Sequence, residues 1–184
     1  MKRPQIFTIF IFLLVAIVGC ASGTFRVGDT WDPKEAAFFD DGVDVVEDYN
    51  SLSGKWAYRQ EKELEGRTQL ADFVGIVNIL SVQTKSDFEV EAAKRIDIEI
   101  VEAIYGETPA GTIQLVSTRE APGHQLILRY ERRLDGKHLV FIRWFQQDDK
   151  SLGHHFHLSP ASEYLVAKVK AEMDKRRRLE AVSR

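Results

Sequence analysis

Apolar and polar residues alternate with a period of two through the middle of the chain, as is typical of strands that bury one face. The alternation is clearest from 95 to 105, where Asp97 and Glu99 share one parity and four isoleucines share the other. Those isoleucines are Ile96, Ile98, Ile100 and Ile104. Related patterns predict further strands over 72–84, 112–118, 137–146 and 154–158. We therefore expect five or six short strands, paired mainly antiparallel.

A helical pattern comes before these strands, and a second stretch between them is ambiguous. Ser53 is predicted to cap a helix that runs to about Glu65 and ends at Gly66. Residues 125–134 fit either a strand or a helix that ends at Gly136, because their apolar positions match both periods.

The chain is predicted to finish with a long helix from about 160 to 180. Ser159 is expected to cap it, and Pro160 suits the first helical position, where no backbone N–H is needed. Its buried stripe is expected to contain Leu165, Val166, Val169 and Met173.

Strands in succession with helices only at the ends favour a mostly β, α+β fold. We expect a small antiparallel OB-like barrel or curved sheet with a short N-terminal helix and a long C-terminal helix. The predicted organisation is a signal segment over 1–19, a tether over 20–34 and one globular domain over 35–184, with its β core at about 71–158.

The first twenty residues have the parts of a secretory signal. Lys2 and Arg3 precede an almost wholly apolar run over 6–18, which ends at Gly19 and Cys20. A bilayer-spanning helix needs about 20 apolar residues, so this run is too short to be a strong candidate for a retained anchor. Cys20 is the only cysteine of the chain, so no disulfide can form within it.

The tetrapeptide Ile17-Val18-Gly19-Cys20 resembles the lipobox of bacterial lipoproteins. The resemblance implies that Cys20 becomes the first mature residue and carries a thioether-linked diacylglycerol and an N-acyl chain. Ordinary cleavage and a retained helix are the alternatives. Because Ala21 is not the aspartate that favours inner-membrane retention in the enteric pathway, we expect an outer-membrane anchor facing the periplasm. An inner-membrane anchor is the alternative.

Charge and length limit the classes of partner. The chain has 25 basic and 28 acidic side chains, a net charge of −3, and removal of Lys2 and Arg3 with the signal would make it −5. An acidic domain is not expected to bind nucleic acid. The 165 residues left after removal of 19 are enough for one domain with a sizeable core.

Three segments of the predicted strands resemble the barrel of netrin-like and tissue-inhibitor-of-metalloproteinase-like domains. They cover 71–77, 98–106 and 136–141. The resemblance implies an OB-type barrel. The chain has one cysteine, so the framework disulfides of those domain families are absent. The resemblance therefore does not extend to protease inhibition.

Histidines are the first candidates for chemistry. His155 and His157 lie two residues apart on a predicted strand, a spacing that can hold two zinc ligands on one face. A third ligand would come from His124, His138 or a carboxylate. The alternative, which we favour, is that Phe156 and its neighbours face the core while His155 and His157 lie on a solvated face.

Other candidate groups have simpler interpretations. The acidic segment offers oxygen ligands for calcium, but its spacing does not match the EF-hand loop, so a solvated acidic strip is expected. Its carboxylates are Asp40, Asp41, Asp44, Glu47 and Asp48. The basic run 175–178 could contact anionic lipid, although its position near a helix C-terminus explains it equally simply. Trp31, Trp56, Trp144 and Phe145 could line a ligand groove.

No motif identifies a reaction. The chain has no Gly-x-Ser-x-Gly elbow, no His-Glu-x-x-His pair, no phosphate-binding loop and no dinucleotide fingerprint. We therefore expect a non-enzymatic envelope lipoprotein, without a cofactor, that binds or positions a partner protein. The alternatives are a periplasmic hydrolase with a metal held by His155 and His157, and a module that binds peptidoglycan or glycolipid.

Overall fold

The structure, a computed structural model, describes residues 31–46, 48–87, 90–108 and 111–183. Its strands are β1 (Gly42–Val43), β2 (Phe73–Asp87), β3 (Val90–Tyr105), β4 (Ile113–Ser117), β5 (Lys137–Gln146) and β6 (Leu152–Pro160). Its helices are α1 (Gly54–Leu70), α2 (His124–Tyr130) and α3 (Glu163–Val182). The predicted signal, Cys20 and most of the tether lie outside the described residues.

The six strands form one curled, half-barrel sheet in the order β1-β6-β5-β2-β3-β4. All neighbouring strands are antiparallel except β1, which pairs in parallel with β6 through Gly42 and Val43. The predicted α+β fold with a curved, mainly antiparallel sheet is therefore confirmed. Strand β5 has the predicted bounds, whereas β6 extends past the predicted 154–158 at both ends.

Each face of the sheet covers a separate apolar core. The inner core includes Phe73, Val77, Ile96, Phe156 and Leu158. Helix α2 packs into it through Ile127 and contacts both β1 and β3, so the sheet curls around this helix. The outer core lies under α1 and α3 and includes Leu64, Val74, Phe141, Leu165, Val169 and Met173.

Bulges break the simple alternation in the long β2–β3 hairpin. The register shifts at several points, including between Ile79 and Ser81. Val74, Ile76 and Val82 share one parity in the sequence. Because of the shift, Val82 packs in the inner core, whereas Val74 and Ile76 pack in the outer core. Similarly, Ile104 faces the outer core, while Ile96, Ile98 and Ile100 face the inner core. The expectation that the four isoleucines point one way is therefore wrong for Ile104, because a bulge exchanges the two faces.

Helix α1 continues past its predicted end. Gly66 does not end the helix but lies inside it, and a Cβ there would clash with the ring of Phe38. The glycine therefore lets an aromatic side chain pack directly on the helix backbone. The i, i+4 pairs of Glu63 with Arg59 and with Arg67 form at 2.7 and 3.4 Å.

The ambiguous stretch after β4 is helical. It forms α2, followed by a short 3-10 turn over Glu131–Arg133. Gly42 and Gly123 bring the start of α2 against β1, since a Cβ on Gly42 would lie 2.6 Å from the Cα of Gly123. The amide of Gly123 donates to the carbonyl of Asp40 over 2.8 Å.

The long C-terminal helix begins later than predicted. Ser162, not Ser159, is its N-cap and accepts from the amide of Leu165, while Pro160 ends β6. Ser159 is buried in the sheet, where its hydroxyl is bound by a carboxylate of the N-terminal segment. The stripe of Leu165, Val169 and Met173 is buried as predicted.

Candidate functional site

The pleat of β6 sets which of its side chains meet the N-terminal segment. Phe156 and Leu158 enter the inner core, so the residues between them face the opposite side. Segment 40–44 runs along that side. The amide of Phe156 donates to the carboxylate of Asp41, and the carbonyl of Phe156 accepts from the amide of Asp41. The predicted parity of β6 is therefore confirmed, but its second face is not solvated at His157.

His157 lies between two carboxylates. Its Nδ1 bonds Oδ1 of Asp40 over 2.8 Å, and its Nε2 lies 3.1 Å from Oδ2 of Asp44. The second contact is electrostatic, since its alignment is poor for a hydrogen bond. The side chain is only 2% exposed, so the imidazole is almost fully removed from water.

Four polar groups contact a single carboxylate oxygen of Asp44, Oδ2. Tyr49 and Ser159 donate hydroxyls to it over 2.7 and 2.8 Å, and Nη1 of Arg67 lies 3.2 Å away. Arg67 in turn binds the carbonyl of Phe38 through Nε. We call Asp40, Asp44, Arg67 and His157 the N-terminal clasp, because they join segment 38–44 to α1 and β6.

The charges of the clasp stabilise one another. Burial raises the pKa of Asp44, but the nearby His157, the charge of Arg67 and the hydrogen bond from Tyr49 outweigh it and hold this pKa far below its usual range. The pKa of Asp40 is also lowered, because the His157 bond outweighs its burial. Burial and Arg67 lower the pKa of His157, yet the two carboxylates raise it overall. The fold therefore favours the charged forms of Asp40, Asp44 and His157.

Tyr49 completes the cluster as a neutral donor. Burial and the neighbouring Asp44 charge raise the pKa of its hydroxyl well above its usual range. The phenol therefore keeps its proton and remains a hydrogen-bond donor to the carboxylate. A neutral phenol held this way is a structural support rather than a base.

A second contact between the N-terminal segment and β6 lies at His155. Its Nδ1 bonds Oδ2 of Asp41 over 2.7 Å, and its ring stacks on Phe145 with a centroid separation of 4.9 Å. Trp31 contacts both rings, with its ring centroid 4.1 Å from that of His155 and 5.6 Å from that of Phe145. Asp41 adopts a left-handed conformation with φ of 50° to reach both His155 and the amide of Phe156.

Glu35 adds a further tie to the sheet. It pairs with Arg143 of β5 over 2.9 Å, and Arg143 also pairs with Asp72 over 3.0 Å. The side chains of Glu35, Asp40, Asp41 and Asp44 therefore attach this segment to β5, β6 and α1.

The two weak metal candidates do not converge. His155 and His157 share a face, but each presents its Nδ1 to a different carboxylate, Asp41 and Asp40. Within the described residues, no group of three or more His, Cys, Asp or Glu side chains has a geometry suited to a metal ion. The arrangement acts as two histidine–carboxylate pairs.

The acidic segment is not a solvated strip. Asp41 is buried, and Asp40 and Asp44 point inward to histidine and arginine, so the expectation that the carboxylates face water is wrong for these three. Asp48 is exposed and accepts from the amide of Asn50 in a short turn. Glu47 lies outside the described residues. The sequence of this segment, which mixes apolar residues with carboxylates, did not indicate that histidines of β6 would lie opposite the carboxylates.

The basic run of α3 is divided between the fold and the solvent. Arg176 donates to the carbonyls of Thr68 and Ala71 at the end of α1, and Arg177 donates to the carbonyl of Ile104. Lys175 and Arg178 are exposed. Arg176 therefore caps the neighbouring helix α1 in addition to lying near the end of α3.

The candidate aromatics do not form one groove. Trp31 and Phe145 meet around His155, whereas Trp144 is buried in the inner core and meets His154 edge-on. Trp56 is exposed on α1. It lines a hollow of about 260 Å³ beside the clasp.

Comparison with protein-family models, with curated proteins and with solved structures gave no match. No helix among the described residues has the length and apolar character needed to cross a bilayer. The function therefore has to be inferred from this chain's own residues.

Proposed function

We propose that this protein is a lipid-anchored, non-enzymatic component of a bacterial cell envelope. Cys20 is acylated and holds the domain at the periplasmic face of the outer membrane, where the domain binds and positions a partner protein. The observation that carries the proposal is the succession of Lys2 and Arg3, the apolar run 6–18 and Ile17-Val18-Gly19-Cys20. Several acyl chains at one residue give stable membrane attachment, whereas a single chain does not.

The geometry of the domain supports this role. A protein held through its N-terminus needs that terminus joined firmly to the fold, and the N-terminal clasp joins segment 38–44 to both a strand and a helix. Trp31, eleven positions after Cys20, is already stacked on His155. At about 3.3 Å per residue, the intervening chain can reach roughly 35 Å, so the domain would stay close to the bilayer.

The same groups are poorly suited to catalysis. A general base must reach a substrate proton, and His157 is enclosed by Asp40 and Asp44. Ser159 donates to Asp44 and not to a histidine, so these residues do not form a nucleophile–base pair. This favours a binding role over the hydrolase alternative.

The anchor is tested by metabolic labelling with an alkyne-bearing fatty acid. The wild-type full chain should incorporate the label and enter the detergent phase of a phase partition, whereas Cys20→Ser should not incorporate it. Position 20 lies before the described fold, so both variants should give the same circular dichroism spectrum. Equal labelling of the two variants would reject acylation at Cys20.

The partner is tested by affinity purification from detergent-solubilised membranes. A single envelope protein should co-purify reproducibly and in comparable amount with the full chain. An unrelated lipoprotein with the same tag serves as the control. Recovery of only those proteins that the control also recovers would contradict the binding role.

A further inference from the structure

A cleft of about 790 Å³ lies between β2 and the segment that follows α2. On the strand side it is lined by residues 79–82, and on the other side by residues 128–134. Leu80 and Leu128 are 54% and 43% exposed at its rim, and Leu134 is buried at its base. Two large exposed apolar side chains beside a concave surface are typical of a binding site.

Three arginines surround this cleft. Arg129 comes from the last turn of α2, and Arg132 and Arg133 come from the 3-10 turn after it. All three are exposed, and none has a carboxylate within 4 Å among the described residues. In a chain of net charge −3, three unpaired cations side by side form a local positive surface.

Two carboxylates near the cleft are already engaged. Glu131 pairs with the buried Lys94 over 2.6 Å, and Lys94 also binds Thr84. Asp97 accepts from Ser81 and pairs with Arg95. These carboxylates therefore leave the positive charge of the three arginines available to a ligand.

The cleft lies at the end of the sheet away from the tether. The pairing of β2 with β5 ends at Asn78 and Lys137, so residues 79–82 extend beyond β5. Trp31 stacks on Phe145 and His155, near the turn at the other end of β5 and β6. The separation is roughly 25 Å along the strands, at about 3.3 Å per residue. The cleft and Trp31, the first described residue, therefore lie toward opposite ends of β5.

We propose that this cleft binds an acidic segment of the partner protein that also carries apolar side chains. Its carboxylates pair with Arg129, Arg132 and Arg133, and its apolar side chains lie against Leu80 and Leu128. The position away from the tether favours a protein over the anchoring membrane. This inference rests on the proposed function for the existence of a partner, and it names the surface and the chemistry that recognise it.

The test uses the full-length protein in detergent and fluorescence anisotropy of short labelled peptides. The probe peptide is built of glutamate and leucine; matched peptides replace every glutamate by lysine or every leucine by serine. The first variant is Arg129→Glu/Arg132→Glu/Arg133→Glu. The control variant, Lys55→Glu/Lys175→Glu/Arg178→Glu, changes the net charge equally at exposed positions outside the cleft. Vesicles of phosphatidylglycerol and phosphatidylethanolamine form a separate arm.

The wild type and the control variant should bind the glutamate–leucine peptide about tenfold more tightly than either matched peptide, and more weakly at high salt. The cleft variant should lose this difference while keeping the circular dichroism spectrum of the wild type. Equal binding by all three proteins would overturn the proposal. Binding of the vesicles by the wild type without binding of the peptide would also overturn it, in favour of a membrane-contact surface. Neither result alters whether Cys20 is acylated.

Discussion

At the scale of single residues, His157 determines how the N-terminal segment is attached. It is enclosed by two carboxylates that raise its pKa, against the lowering effects of burial and of Arg67. Removing one member of such a buried cluster leaves the other charges without their partner. That penalty is generally larger than the net stabilisation the cluster provides.

His157→Asn should therefore destabilise the protein by about 3–5 kcal/mol, since Asp40 and Asp44 would lose their shared cation. Urea unfolding followed by circular dichroism gives the free energy. His155→Asn is the matched control on the same strand, and its partly exposed pair with Asp41 should make its effect smaller. Equal losses in the two variants would show that His157 has no special role in the clasp.

The same residue predicts how stability changes with pH. Because the folded-state pKa of His157 is above its unfolded value of 6.5, its stabilising contribution is complete below that pH. The contribution is lost as pH rises through the folded-state pKa. Between about pH 6 and about pH 9, the unfolding free energy should fall more steeply for the wild type than for His157→Asn. Parallel curves for the two proteins would contradict the assignment.

At acidic pH, the stabilising contribution of the two carboxylates changes with pH in the opposite direction. The pKa values of Asp40 and Asp44 are lowered in the fold, so their contribution is present above the unfolded value of 3.8 and is lost as pH falls through the folded values.

At the scale of elements, Arg176 joins two helices. Its Nη1 donates to the carbonyls of Thr68 and Ala71 over 3.1 and 2.8 Å, and its guanidinium lies over the ring of Tyr105. These carbonyls lie at the end of α1, where the helix cannot satisfy them itself. The contacts fix α3 against α1 and the outer face of the sheet.

Arg176→Ala should cost about 2 kcal/mol of unfolding free energy, whereas Arg178→Ala should change it by less than about 0.5 kcal/mol. The two arginines lie in one helix, so the change in helix propensity is the same and the difference isolates the capping contacts. Thermal unfolding of both variants supplies the comparison. Similar losses from both would show that the basic run acts only through the charge of α3.

Elements with a strong local pattern were predictable from the sequence, and those shaped by contacts distant in sequence were not. Strand β5 formed over the predicted residues, but Ile104 and Val82 changed faces because bulges in β2 and β3 are invisible in a binary pattern. Gly66 resembled a helix end, and only the ring of Phe38 explains its place inside α1.

The candidate site was predictable only in part. His155 and His157 were correctly placed on one face, yet their partners could not be found, because Asp40, Asp41 and Asp44 lie more than 100 residues away in sequence. Neither Arg67 nor Tyr49 carried a signal that linked it to the site. Segment 38–44 combines apolar and acidic residues, and this mixture is the one pattern that could have suggested a segment docked along a strand.

At the scale of the whole molecule, the two ends of the sheet differ. Trp31 lies near the turn between β5 and β6, and the arginine-lined cleft lies at the other end of these strands. Asp44 of the N-terminal clasp lies nearer the cleft and lines a hollow together with Arg133. Acylation at Cys20 would confine the domain near the bilayer and raise its effective concentration for membrane partners. The cleft would then be presented to them on the side away from the anchor.

The most direct test of this account is the mass of the N-terminal peptide of the full-length protein purified from its native membranes. We predict a peptide that begins at Cys20 and carries a diacylglyceryl group on its sulfur together with an amide-linked acyl chain. A peptide that retains residues 1–19, or one with a free thiol at Cys20, would contradict the central claim that this domain is a lipid-anchored protein.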